Sequence, residues 1–210
     1  GILGLATGVE LLSRKGDLRV LLLEKEERVG SHQSGRNSGV LHTGVYYAPG
    51  SLKARLCREG RELMVDFCSS RGIEVDLCGK VIVATSEEEL APLEALFERA
   101  QGNGVECRRV DARGLRNIEA HVAGLAGIHV PGAGVVDYGL VCAHQSEILL
   151  EMGGRVLTEA CVMRIDEEKE GLRVSTAERE FLGSCLVTCG GLYSDHLVSM
   201  AGGAPEARII

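Results

Sequence analysis

The chain has 210 residues, of which 45% are hydrophobic and 25% charged, and its formal net charge at pH 7 is −7. These values are ordinary for a globular protein and exclude a mainly disordered, collagen-like or disulfide-stapled chain. The acidic balance disfavours nucleic acid as a partner, because proteins that bind nucleic acid usually carry a basic surface. The 28 glycines are roughly twice the usual share of about 7% and favour a fold with close backbone approaches, as in nucleotide-binding proteins.

The first residues predict the second half of a βαβ unit. Residues 2–15 carry apolar side chains at helical spacing and are followed by Gly16, which ends a helix. Residues 19–24 are apolar on both faces and close with an acid, as a buried parallel strand does. The strand that precedes such a helix would be central in a doubly wound sheet. We therefore expect the chain to be part of a longer protein, cut inside its first motif.

Residues 29–50 form a glycine- and serine-rich loop whose length and polar content favour a functional role. Ser51 is expected to begin a helix that ends at Gly72, with Leu52, Leu56, Leu63 and Phe67 on one apolar face.

The remaining elements alternate between helices and short strands. Ser86 and Glu89 have the spacing of a capping box, and Pro92 predicts a short turn with a helix restarting near Ala91. A helix is expected over 138–152, after two strands around the turn at Pro131 and Gly132. Further strands are expected at 80–84, 155–157, 160–165, 172–176 and 184–189. The pattern predicts an α/β protein with two interleaved domains.

Two glycine sites carry the chemistry. Gly1-Ile2-Leu3-Gly4 matches the last four positions of G-x-G-x-x-G, and Glu24 stands at the end of the next strand. Such glycines let a helix N-terminus approach a pyrophosphate, while the acid accepts hydrogen bonds from ribose. Gly190-Gly191 follows an expected strand and precedes a helix. Alone, each site also fits an ordinary helix start or strand–helix turn, but together they favour a large two-ended cofactor.

The loop reading Ser31-His32-Gln33-Ser34-Gly35-Arg36-Asn37-Ser38-Gly39-Val40-Leu41-His42-Thr43-Gly44-Val45-Tyr46-Tyr47, with the following Pro49 to Lys53, closely resembles FAD-dependent L-2-hydroxyglutarate dehydrogenases and oxidases. These enzymes form a subgroup of the D-amino-acid-oxidase-like flavoproteins. The resemblance covers essentially the whole chain, including residues 134–138 and 189–195. Judged by the usual length of the family, the chain is expected to lack the first strand, the first motif glycine and roughly the C-terminal half, and its substrate site would then be incomplete.

The resemblance implies a Rossmann-like, doubly wound FAD-binding sheet interleaved with a strand-rich substrate domain, both incomplete. The FAD-binding domain would comprise 1–78 and 139–210, and the substrate domain would begin with 79–138. The family pattern would place the FAD pyrophosphate on Gly1 and Gly4, the adenosine ribose on Glu24 and the adenine on the backbone of Val162. The loop that runs past the pyrophosphate toward the flavin ring would contribute Ser34, Arg36, Asn37, Ser38 and Gly39. The second phosphate and the ribityl chain would lie along Gly190, Gly191 and Asp195.

The implied reaction oxidises L-2-hydroxyglutarate to 2-oxoglutarate by hydride transfer to the flavin, with a histidine near neutral pKa as the base. His42 ends the flavin-side loop and is the first candidate for this base. His32 is the second, and a packed loop histidine is the structural alternative. Arg36, Tyr47 and Lys53 are candidate substrate contacts, although the two cations, Lys53 above all, also suit surface ion pairs and Tyr47 equally suits the core. No metal site is expected.

Two other functions compete with this one. The protein could be a related flavoenzyme that oxidises glycerol 3-phosphate or an amine of the glycine or sarcosine type, or it could bind a nucleotide without catalysis. The expected partners are a small 2-hydroxy dicarboxylate and an electron acceptor, with oxygen, a quinone and a flavoprotein left open. The expected location is the cytoplasm, or the mitochondrion if the source is a eukaryote. Peripheral association with the inner membrane is left open. The eight cysteines are expected to be mostly buried and reduced.

Overall fold

The computed structural model describes residues 1–205 and divides into two compact units. The first unit holds Gly1–Asn37 and the chain from Tyr138 onward, and the second holds Ser38–Asp137. This division places residues 38–78 in the second unit, whereas the sequence analysis assigned them to the FAD-binding domain. Which of the two domains these residues serve in function stays a prediction.

The chain alternates between helices and short strands in the predicted mixed α/β pattern. The α-helices are α1 (Ile2–Arg14), α2 (Leu52–Arg71), α3 (Leu90–Gly102), α4 (Ala112–Ile118), α5 (Tyr138–Glu151) and α6 (Ser194–Met200), with single 3₁₀ turns at Glu87–Glu89 and Gly191–Tyr193. The strands are β1 (Leu21–Leu23), β2 (Val40–Leu41), β3 (Val75–Asp76), β4 (Lys80–Ala84), β5 (Arg108–Asp111), β6 (Ala126–Val130), β7 (Gly134–Val136), β8 (Arg155–Leu157), β9 (Arg164–Glu168), β10 (Gly171–Ser175) and β11 (Glu180–Gly183). None of the helices within residues 1–205 is both long and apolar enough to cross a membrane.

The first unit is built on the parallel pair of β1 and β8, with Leu22 opposite Val156. Helix α1 packs on α5 at a close approach: a Cβ added to Gly8 would lie 2.5 Å from Cδ1 of the fully buried Leu149. Leu5 and Leu12 of α1 are buried on the same side. A separate antiparallel sheet has the order β11-β10-β9.

The expected strand over 184–189 is wrong, because none of the described residues pairs with this segment. A strand is defined by hydrogen bonds to a neighbouring strand, and apolar pattern alone does not supply them. The expected strand at 160–165 begins later, at Arg164. The reason is that Ala160 donates its N–H to the Glu24 carbonyl at 2.9 Å and so remains beside the end of β1.

The second unit contains two antiparallel sheets, of order β2-β7-β3 and β4-β6-β5. The two strands expected around Pro131 and Gly132 are confirmed, but they belong to different sheets. Helix α3 covers the β4-β6-β5 sheet, and the core between them consists of Val45, Phe97, Ala100, Ile128 and Val130.

Helix α2 begins and ends as predicted but buries a different face. The Ser51 hydroxyl accepts from Ala54 N–H at 3.2 Å, and Gly72 ends the helix with a φ of 66°. The leucines of the predicted apolar face are exposed: Leu52 by 60%, Leu56 by 53% and Leu63 by 69%. The buried positions are Ala54 and Cys68, which lie on another side of the helix. The apolar spacing identified the helix but not the stripe that packs.

The start of α3 also differs from the expected capping box. The carboxylate of Glu89 accepts from the N–H and hydroxyl of Thr85, at 2.7 and 2.9 Å, and the Ser86 side chain makes no capping bond. The predicted turn and restart are confirmed, since a 3₁₀ turn leads into α3 at Leu90 and leaves Pro92 in its first turn. Proline fits there because the first-turn N–H groups have no partner within the helix.

Candidate functional site

The start of α1 meets the glycine-rich loop of the first unit. Ile2 N–H donates to the hydroxyl of Ser34 at 3.0 Å, and a Cβ on Gly1 would lie 3.3 Å from the same oxygen. The amides of Leu3 and Gly4 lie in the first turn, where a helix offers no carbonyl partner. This end of α1 therefore presents free donors beside a hydroxyl, as an anion site requires.

Glu24 closes β1 next to that helix start. Its carboxylate forms an ion pair with the amino group of Gly1, the first residue of this chain, at 2.9 Å, and it accepts from Glu26 N–H at 3.2 Å. Its side chain is only 12% exposed. The backbone of Glu24 bonds to Leu157 and Ala160, so the segment leading to Val162 lies beside the same strand end. A fixed acceptor thus stands next to the helix N-terminus, in the arrangement predicted for a ribose-binding acid.

The loop that holds Ser34 is folded into a tight turn. Gly30 has a φ of 75°, and a Cβ on Gly35 would clash with the Gly30 carbonyl oxygen. The amide of Asn37 donates to the carbonyls of Gln33 and Ser34 at 2.9 and 2.8 Å. Asn37 therefore shapes the loop, while the neighbouring Arg36 is exposed.

The second glycine site lies between residue 189 and α6. A Cβ on Gly190 would lie 2.5 Å from Cδ1 of Leu197, so packing on α6 requires this glycine. Gly191 adopts a φ of 55° and has open space where a Cβ would stand. Asp195, in the first turn of α6, accepts from His196 N–H at 2.9 Å. The left-handed backbone at Gly191 leaves an uncovered surface that a ligand can approach.

A cluster that the sequence did not identify as a group connects these segments. The Tyr193 ring lies 5.1 Å from Nζ of Lys25 and 5.8 Å from the ring of His32, with His196 at 6.1 Å. The hydrogen bond from Lys25, with smaller contributions from His32 and Arg36, lowers the pKa of the Glu26 carboxyl. The sequence positions could have indicated this cluster, because Lys25 directly follows the candidate ribose-binding residue Glu24 and Tyr193 lies two residues after Gly191 of the second glycine site.

His42 follows β2 in the second unit. Its carbonyl accepts from Sγ of Cys57 at 3.5 Å. His42 is exposed, yet desolvation of part of its ring and, second to it, the positive charge of Lys80 lower the pKa of its imidazole. The imidazole is therefore neutral at pH 7 and able to accept a proton.

The other predicted residues of this unit have different surroundings. Gly39 has a φ of 69°, and a Cβ there would lie 2.8 Å from the Val136 carbonyl oxygen, so this glycine is required by the β2–β7 pairing. Ser38 is exposed. Tyr47 is half-buried, and its carbonyl accepts from the amide of Asn103 at 2.8 Å. Lys53 is exposed in the first turn of α2, and its side chain makes no ion pair within residues 1–205.

The predicted residues thus divide between the two units. Residues 1–37 and 138–205 bring together the helix start, Glu24, Ser34 and the segment leading to Val162. Ser38, Gly39, His42, Tyr47 and Lys53 belong to the second unit. Their roles toward a ligand stay predictions.

Comparison with known proteins gives a consistent result. The family model described as FAD dependent oxidoreductase matches residues 1–210. L-2-hydroxyglutarate dehydrogenase of Escherichia coli K12 is 43% identical over 206 residues, which is 98% of this chain and 49% of that protein. The mitochondrial L-2-hydroxyglutarate dehydrogenase of Homo sapiens is 39% identical, covering 100% of this chain and 48% of its own. The chain spans about half the length of these curated relatives.

Solved structures agree on the fold. L-alpha-glycerophosphate oxidase from Mycoplasma pneumoniae, a structure with FAD bound, superposes with a TM-score of 0.86 at 25% identity, covering 96% of this chain and 55% of that one. Glycine oxidase from Geobacillus kaustophilus gives a TM-score of 0.85 at 23% identity, covering 96% and 56%. The mixed α/β architecture of the chain is therefore that of about half of such a flavoenzyme.

Proposed function

Because the chain belongs to the family of FAD-dependent oxidoreductases, we propose that the protein carrying it oxidises L-2-hydroxyglutarate to 2-oxoglutarate. The curated relatives that bear this activity in their names, from bacteria and from mitochondria, are about 40% identical to the chain over nearly all of its length. These relatives support the substrate. The observation that carries the flavoenzyme proposal is the meeting of the α1 start, Ser34 and Glu24 at one place.

The residues at that place fit a dinucleotide. The free first-turn amides of α1 suit a pyrophosphate, and the first turn contains no acid that would repel one. The Glu24 carboxylate suits the ribose hydroxyls of the adenosine half. The open left-handed turn at Gly191 suits the remaining phosphate and the ribityl chain. Val162 is assigned to the adenine through its backbone, and Arg36 and Asn37 to the loop that leads toward the flavin.

When bound, the flavin supplies the two-electron chemistry by accepting hydride from the alcohol carbon. The chain supplies the proton acceptor, for which His42 has the required neutral imidazole. Arg36, Tyr47 and Lys53 are assigned to the substrate, with Arg36 as the residue able to pair bidentately with a carboxylate. The substrate is a small molecule whose two carboxylates call for such cationic partners.

Oxidation of glycerol 3-phosphate is the second candidate. The glycerophosphate oxidase has the highest TM-score of the structures compared above, 0.86, but only 25% sequence identity. The dehydrogenases at 39–43% identity outweigh it as a guide to substrate.

A substrate panel tests the proposal. The full-length protein carrying this chain is purified with FAD and mixed without oxygen with L-2-hydroxyglutarate, glycerol 3-phosphate or glycine, while the flavin absorbance is followed. We expect bleaching by L-2-hydroxyglutarate at a rate at least about tenfold above the other two, since each tenfold corresponds to only about 1.4 kcal/mol of transition-state discrimination. Faster bleaching by glycerol 3-phosphate or glycine would contradict the proposal, as would a purified protein that binds no flavin.

A further inference from the structure

We propose that Lys80, which the sequence did not single out, binds a carboxylate of the substrate next to His42. This inference rests on the proposed function and adds the residue that would recognise one of its two acidic groups. Three observations carry it: the rigid placement of Lys80, the lack of an anionic partner, and the identity of its neighbours.

The backbone that carries Lys80 is held firmly. Lys80 is the first residue of β4 and pairs with Val130 of β6. The preceding Gly79 has a φ of 75°, and a Cβ there would lie 3.2 Å from Nε2 of His129 and 3.3 Å from the Val130 carbonyl oxygen. Gly79 also donates its N–H to the Ala133 carbonyl at 2.9 Å. A strand end fixed in this way positions the base of the Lys80 side chain, as a binding residue needs.

The Lys80 ammonium is half-buried without a carboxylate. Its Nζ lies 4.7 Å from the centroid of the Tyr46 ring, and burial lowers its pKa. No ion pair or hydrogen bond to this ammonium occurs among residues 1–205. By contrast, Arg109 of the same unit pairs with Glu94, and Arg61 donates to the Gly132 carbonyl at 2.7 Å. A partly desolvated cation without an anion is unfavourable, and an anionic ligand relieves that cost.

The neighbours of Lys80 do not supply the missing negative charge. Burial raises the pKa of the Cys57 thiol, so Cys57 is uncharged at pH 7 although the Lys80 charge opposes the shift. The thiol of Cys57 points to the carbonyl of His42 at 3.5 Å. His42 in turn lies close enough to Lys80 for that charge to contribute to lowering its pKa. The Lys80 ammonium, the Tyr46 ring, the neutral Cys57 thiol and the neutral His42 imidazole therefore form one cluster.

This group matches a 2-hydroxy acid. A carboxylate on Lys80 would neutralise the unpaired ammonium, while the hydroxyl of the same molecule is available to the His42 imidazole. The ring face of Tyr46, over which the ammonium lies, would support its charge as well. The candidate base and the candidate anion-binding cation are thus provided by the same unit of the chain.

The test compares three variants of the full-length, FAD-loaded protein. Lys80→Met removes the charge, Lys80→Arg keeps it, and Lys169→Met removes an exposed lysine in the turn between β9 and β10 as a control. Glutarate, a dicarboxylate without a hydroxyl, is titrated while the flavin spectrum is monitored, and reduction by L-2-hydroxyglutarate is measured without oxygen. We expect Lys80→Met to weaken glutarate binding about tenfold or more, Lys80→Arg to stay within about threefold, and Lys169→Met to match the wild type.

Unchanged glutarate affinity in Lys80→Met would overturn the inference while leaving the proposed function intact if L-2-hydroxyglutarate still reduces the wild-type flavin. Conversely, a wild-type flavin that L-2-hydroxyglutarate does not reduce would end the proposed function, whereas a loss of glutarate binding in Lys80→Met would still support a carboxylate site. Should Lys80→Met fail to fold, Lys80→Gln takes its place, and retained affinity in that variant overturns the inference equally.

Discussion

Glu24 and His42 have surroundings that suit two different tasks. Glu24 is nearly covered, accepts a hydrogen bond from Glu26 N–H and lies 2.9 Å from the Gly1 nitrogen at the start of α1. Its carboxylate is therefore a fixed acceptor, suited to holding a ligand. His42 is exposed and has a lowered pKa, which suit a group that must take up a proton. Substitutions at these two residues should affect different measurable steps.

Replacing Glu24 by Gln should weaken FAD retention about tenfold or more, because hydrogen bonds to a charged acceptor contribute about 1.5–3 kcal/mol. Reduction of the flavin that remains bound should be nearly normal. The measurement is FAD release on dilution, followed by fluorescence of free flavin. Glu10→Gln is the matched control, since Glu10 lies on α1 but forms only an exposed ion pair with Arg14. Equal FAD affinity in the Glu24→Gln variant and this control would contradict the ribose assignment.

Replacing His42 by Ala should slow flavin reduction by about 10²- to 10⁴-fold, the usual effect of losing a general base. The pH dependence has a definite sign. Because burial and the Lys80 charge lower the pKa of His42 below 6.5, the rate should increase as pH rises through that lowered value and be constant above pH 7. Stopped-flow reduction between pH 5 and 8 tests this in the wild type and the variant. A normal rate in His42→Ala would assign the base to another residue.

The elements show what the sequence pattern can predict and what it cannot. Helix α5 was expected over 138–152 and is observed over Tyr138–Glu151, because helical spacing and the glycines after it are local signals. The face of α2 that is buried and the pairing of residues 184–189 depend on distant partners, which the pattern does not reveal.

The burial of the cysteines depends on such distant partners as well. The expectation that most are buried is wrong, since of the eight only Cys68 and Cys142 are.

The close contact between α1 and α5 was also missed, although Gly8 lies four residues after Gly4 in the same helix. Replacing Gly8 by Val should reduce the free energy of unfolding by about 1–3 kcal/mol, because the added side chain meets buried Leu149. Gly16→Ala is the control, since a Cβ there would meet nothing within 4 Å. Urea unfolding of the full-length protein measures both. Equal stability of the two variants would contradict the close packing of α1 on α5.

At the scale of the whole molecule, the chain forms two compact units and spans about half the length of its curated relatives. Several large apolar side chains on the second unit remain exposed, including the three leucines of α2. Exposed apolar patches of this kind promote association. The fold class was predictable because glycine motifs and the alternation of elements are local, whereas the unit boundary at residues 37/38 depends on contacts across the chain.

The 210 residues expressed alone should therefore self-associate, retain little flavin and show no activity. Size-exclusion chromatography with absorbance at the flavin band measures the first two properties. Replacing Leu52, Leu56 and Leu63 by Gln should shift the elution toward the monomer, because these leucines supply exposed apolar area. A monodisperse, flavin-loaded product from the unaltered 210 residues would contradict this expectation.

The central claim is that this chain is part of a flavoenzyme that oxidises L-2-hydroxyglutarate, and a single-turnover experiment tests it most directly. The full-length protein with FAD is mixed with L- or D-2-hydroxyglutarate in the absence of any electron acceptor, and flavin reduction and 2-oxoglutarate are quantified together. The account predicts rapid reduction by the L enantiomer with about one 2-oxoglutarate formed per FAD, since each flavin takes up one hydride. Equal reduction by the D enantiomer, or reduction without 2-oxoglutarate, would contradict it.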